Sequence, residues 1–156
     1  MSSKHDKESI DIGLRSAIDR LLRQDFYLLK KDVNERSISH RLGQYLQEIF
    51  TDWHVDCEYN RNHDSLKTLD LPPKDLASIF DTEAHTVYPD IIVHLRGTDQ
   101  NLLVIEIKKS SSADAIGFDL QKLKAFRDEL GYCYAVALRL RTGDNYGVDS
   151  LDYIDG

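Results

Sequence analysis

Apolar residues recur along the chain at two periods, and the switching between them predicts an order of elements. Ile10, Leu14, Ala17, Ile18, Leu21 and Leu22 fall at three- and four-residue steps, which predicts a packing helix from 10 to about 31. A second helix starts at Asn34, a good N-cap. It carries Ile38, Leu42, Tyr45, Leu46, Ile49 and Phe50 on one stripe and ends at polar Thr51 and Asp52. Over 54–59 the period becomes two, with Val55, Cys57 and Tyr59 on one side and Asp56, Glu58 and Asn60 on the other, as in a strand with one buried face.

The stretch 61–87 carries turn signals at Asn62, His63 and Asp64 and a Pro72-Pro73 pair before a short predicted helix over 74–80. It reads as a long excursion from the core. Apolar runs at 90–95 and 102–108, separated by turn-forming residues, predict an antiparallel hairpin. A helix from 113 or 114 to 130 presents Phe118, Leu123, Phe126 and Leu130 and stops at Gly131, and 132–140 is a last strand. The tail, 142–156, has no clear pattern. The order predicts one α/β domain, a mixed sheet of about four strands flanked by helices, because the helix between the last two strands is long enough for a crossover.

Composition narrows the functional classes. A chain of 156 residues with 41% hydrophobic content has the size and apolar share of a single-core domain. Two cysteines, Cys57 and Cys133, form neither a disulfide framework nor a Cys-x-x-Cys pair, which favours a reducing, cytoplasmic setting. The polar start and the lack of a long apolar run predict no membrane association. The net charge of −7 opposes indiscriminate binding to polyanions, although a metal-holding site itself requires carboxylates.

The informative departure from the apolar pattern is at the end of the hairpin. In its second strand Leu102, Val104, Glu106 and Lys108 share one face, and ionisable groups closing an apolar strand are costly to bury unless paired or bound to an ion. Asp90 opens the partner strand after Pro89. A register that sets Asp90 opposite Glu106 or Lys108 requires Leu95 opposite Asn101, or Arg96 opposite Leu102, and brings the Cβ atoms to roughly 5 Å. A slip of one residue sends Asp90 to the other face. Two converging carboxylates with one lysine make a hard oxygen site suited to Mg²⁺ or Mn²⁺, with the Ile107 carbonyl as a further ligand. The competing reading is a structural ion pair of Glu106 and Lys108.

Pro89-Asp90, followed at a distance by Glu106-Ile107-Lys108, resembles the signature of the PD-(D/E)XK nuclease superfamily. The stretches 33–42, 56–61 and 101–108 are similar to small uncharacterised bacterial members, and the resemblance spans roughly 33–140. It implies a restriction-endonuclease-like core and a metal-dependent nuclease acting on DNA. In that reading Asp90 and Glu106 hold the metal and Lys108 assists hydrolysis. Glu35, which points toward the inward stripe of its helix, matches a helical glutamate found in many members.

Further candidates have equally ordinary explanations. Gln121 and Lys124 lie on the helix where related nucleases carry substrate-contacting polar residues, or form an exposed face. Arg36, His40 and Arg41, with Arg61, contact phosphates or form a solvated helix flank. Glu58 is a substitute carboxylate if Glu35 faces solvent, and His94 is a core or edge histidine. The six histidines show no zinc spacing. A homodimer is compatible with cutting two strands. The rival functions are a non-catalytic nucleic-acid- or protein-binding module of the same fold, associated with a restriction or defence system, and a phosphoesterase acting on nucleotides.

Overall fold

The computed structural model describes residues 5–59, 61–62, 65–66, 68–69, 85–86, 89–111 and 116–154. Helix α1 (Lys7–Gln24) starts where Asp6 accepts the Ser9 N–H at 2.8 Å and buries Ile10, Leu14, Ala17, Ile18 and Leu21. The predicted single helix to residue 31 is broken at Asp25, after which α2 (Phe26–Lys30) is a separate short turn. The cause lies in the stripe itself: its next inward position is occupied by an aspartate rather than an aliphatic residue. The Asp25 carboxylate instead accepts hydrogen bonds from Arg41 Nε, at 3.0 Å, and from the Tyr45 hydroxyl.

Helix α3 (Glu35–Ile49) is capped by Asn34, whose side chain accepts the Ser37 N–H at 2.9 Å, and buries Ile38, Leu42, Tyr45 and Leu46. It lies close on strand β1 (His54–Cys57), because Gly43 has no side chain; a Cβ there would sit 2.9 Å from Cys57 Sγ. That approach brings the N-terminus of α3 toward the sheet. Short pairings join β2 (Arg61–Asn62) to β3 (Ser65–Leu66), and β4 (Thr68–Leu69) to β5 (His85–Thr86). The short helix predicted over 74–80, and the side chains of Arg61 and Phe118, lie outside the described residues.

Strands β6 (Ile91–His94) and β7 (Asn101–Lys109) form the predicted antiparallel hairpin, and α4 (Ile116–Leu130) crosses over to β8 (Tyr134–Arg141), parallel to β7. The weakly patterned tail supplies a fifth strand, β9 (Gly147–Tyr153), antiparallel to β8. The result is a mixed five-stranded sheet in the order β1-β6-β7-β8-β9 flanked by helices. Gly131, at φ 71°, ends α4 as the sequence predicts. Among the described residues no helix is long and apolar enough to cross a membrane.

The sheet has two apolar faces. Leu103, Ile105 and Ile107 of β7, with Val136, Leu138 and Leu140 of β8, pack against α1 and α3. Ile92, Val104 and Ala135 pack against Leu123 and Phe126 of α4. Two predicted alternations fail locally. Leu102 joins Leu103 in the first cluster because a bulge separates the pairs Val93–Leu103 and His94–Asn101, leaving Leu102 as the extra residue. Tyr59 joins the α4 side, not the side of Val55, because Glu58 adopts φ 52° and reverses the alternation.

Candidate metal centre

The hairpin register decides whether the acidic residues meet. Ile91 pairs with Ile105, so the residue just before β6, Asp90, comes alongside Glu106. Of the two predicted registers the one facing Glu106 forms, although the loop differs: the bulge sets His94, not Leu95, against Asn101. The Asp90 backbone N–H donates to Glu106 Oε1 at 3.4 Å, which sets the two acidic residues side by side. Glu106 is 5% exposed. Its burial, reinforced by the charge of Asp90, pushes its carboxyl up to about 8 against the opposing pull of Lys122. Burial likewise raises Asp90, tempered first by the Ile107 amide and then by Lys122. Burial and the mutual repulsion of the two carboxyl groups thus favour their protonated forms, and the Lys122 ammonium opposes that.

Glu35 completes the acidic edge. Asp90 Oδ2 accepts the Ile107 N–H at 2.7 Å, and Glu35 Oε2 accepts the Lys109 N–H at 3.1 Å. These are alternate residues of β7, so both amides leave the strand on the β6 side, past the point where β6 starts, and two carboxylates take the place of the missing strand. The Ile107 carbonyl leaves the backbone on that same side. Glu35 is close enough for its charge to raise Asp90 further.

Lys108 points to the α4 face with Glu106. The two line a cavity of about 300 Å³ together with Leu120, Ala137 and Arg139. Asp90 and Glu35 line a second cavity, of about 520 Å³, with Arg36, His40 and Glu58. The acidic pair thus stands between two openings. A residue that periodicity did not single out lies nearest to Glu106: Lys122 of α4 holds its Nζ 3.0 Å from Glu106 Oε1 with only 13% of its side chain exposed. Its neighbours Gln121 and Lys124, the predicted contacts on that helix, are exposed instead. The helical phase contained the signal, since Lys122 lies one turn before buried Phe126 whereas Gln121 and Lys124 do not.

No family model, curated protein or solved structure matches the chain. The remaining predicted residues divide by position. Arg36 and His40 are exposed at the second cavity, where Arg36 Nε lies 3.2 Å from Glu58 Oε1. Arg41 is engaged elsewhere: its guanidinium bonds Asp25, Gln44 and Tyr45, so its place is in the packing of α3 on α1 and α2. Glu58 reaches the acidic edge through its reversed backbone, its N–H donating to the Pro89 carbonyl at 2.9 Å. His94 is buried with Nε2 2.7 Å from Asp56 Oδ2, a core histidine with a partner.

Among the described residues no three His, Cys, Asp or Glu side chains are grouped to hold a metal ion. The two carboxylates of Asp90 and Glu106 adjoin each other, with Lys122 beside the second. Mg²⁺ retains several of its waters and is commonly held by one or two carboxylates, so the donor chemistry of Asp90 and Glu106 fits such an ion, with Ile107 contributing a carbonyl and Glu35 an outer acceptor.

Proposed function

We propose that the chain is a metal-dependent phosphodiesterase of the restriction-endonuclease-like type that hydrolyses nucleic acid, DNA in the first instance. The observation that carries this reading is the contact between Asp90 and Glu106 beside Lys108, at the end of a hairpin packed into a mixed sheet. Asp90 and Glu106 would hold Mg²⁺ or Mn²⁺, which when bound supplies Lewis acidity and a more acidic water. Lys108 orients the attacking water or balances charge developing on phosphate. Glu35 fixes the Lys109 amide and hence the end of β7, and it is a positioning residue by this geometry.

Cleavage of single- and double-stranded DNA with and without Mg²⁺ or Mn²⁺ tests the reading. Lys108→Ala is expected to lower the rate by roughly 10²–10⁴-fold, the range for loss of a group that handles a proton or charge in the reaction. Asp90→Ala should abolish cleavage. Unchanged activity in both variants would refute the assignment.

The net charge of −7 favours a second reading, a binding module that keeps the fold without the chemistry. Calorimetric titration separates the two. A nuclease takes up Mn²⁺ and loses more than about tenfold in affinity on Glu106→Gln, whereas the module takes up none.

A further inference from the structure

The cavity between α4 and the sheet is bounded by an arrangement that the metal site does not require. Lys108 of β7 and Arg139 of β8 are register partners and line the same opening. Like charges set side by side on adjoining strands repel and destabilise a sheet. They stand at the carboxyl ends of the parallel strand pair, the place where open α/β sheets take their ligands. Space is available there because β8 places Ala137 on this face next to Arg139, where a larger side chain would fill the gap beneath Leu120. Ser150 of β9, the register partner of Arg139, adds a hydroxyl to the wall.

We propose that this cleft binds a backbone phosphodiester of the nucleic-acid strand, with Arg139 as a substrate-binding residue beside Lys108. The other charged groups facing it define where the anion sits. Glu106 closes one end, and Asp149 and Asp152 stand on the β9 wall, Asp149 lying 3.8 Å from Arg141. A phosphate therefore settles over β7 and β8, between the two cations and away from β9. An opening of about 300 Å³ admits one phosphodiester linkage, so the strand is held by its backbone. Only the identity of the anion rests on the nuclease reading.

Fluorescence anisotropy of a short labelled DNA duplex and its single strand, with the full chain in EDTA, measures binding without cleavage. Arg139→Gln should weaken binding roughly fivefold and reduce the slope of log affinity against log salt by about 0.9, the share of one phosphate contact. Arg139→Lys should restore the slope. Ala137→Leu, which fills the cleft without altering charge, should also weaken binding, and circular dichroism checks that each variant is folded. An Arg139→Gln protein that binds with wild-type affinity and slope overturns the proposal. An equal loss in Lys30→Gln, a change on exposed α2, does the same, as does competition by inorganic phosphate or a mononucleotide as strong as that by unlabelled DNA. Asp90→Ala distinguishes the two readings: it should retain DNA binding while losing cleavage, so persistent cleavage would sink the metal reading and leave the Arg139 result standing.

Discussion

Asp56 shows how a charge can be kept on an inward face. Burial alone would raise its carboxyl, but hydrogen bonds from His94 and Arg96 outweigh burial and hold it well below the ordinary carboxylate range. A carboxyl whose folded value is depressed stabilises the fold at pH values above its unfolded value, near 3.9, and loses that contribution as pH falls through the folded value. Asp56→Ala should cost about 2 kcal/mol at pH 7, allowing for the exposure of Arg96. In urea melts the gap from wild type should narrow steadily as the pH drops below about 4. A gap independent of pH would mean that the charge contributes nothing and only packing was lost. Lys122 carries the opposite sign of argument: Lys122→Met leaves the Asp90–Glu106 pair without its nearest cation, so the variant should melt lower than wild type in EDTA and recover more on adding Mn²⁺. Equal recovery in both proteins would place Lys122 outside the metal's influence.

At the scale of elements, the hairpin, the two long helices and the crossover were legible because each has an unbroken apolar rhythm. The break at Asp25 was legible only in part. The stripe predicts an inward position there, but the Arg41 and Tyr45 partners that make aspartate acceptable come from another helix. Strand β9 was not legible, since an edge strand half-open to solvent needs little hydrophobic content and is recruited by β8. Likewise the bulge at Leu102 and the reversed backbone of Glu58 are tertiary adjustments. The acidic pair could be predicted from sequence because it depends on one local register, whereas Lys122 depends on how a helix rotates over the sheet. Gly43 tests the packing that delivers Glu35: Gly43→Val would force α3 off β1 against Cys57 and should cost about 1–3 kcal/mol by thermal or urea denaturation. Unchanged stability would show that α3 can shift without loss.

For the whole molecule, the acidic total charge and the local pair Lys108–Arg139 are compatible, because the one acts during approach and is screened by salt, whereas the other acts at contact. Encounter with DNA is thus expected to be slow at low salt for so acidic a protein, and its productive orientation to be selected by the cleft.

One carboxyl of the acidic pair belongs to each of the two openings, Asp90 to that under α3 and Glu106 to that under α4. A partition so thin cannot insulate. A charged molecule settling in one chamber would act on the carboxyl facing the other, and by reciprocity the influence would return with equal strength.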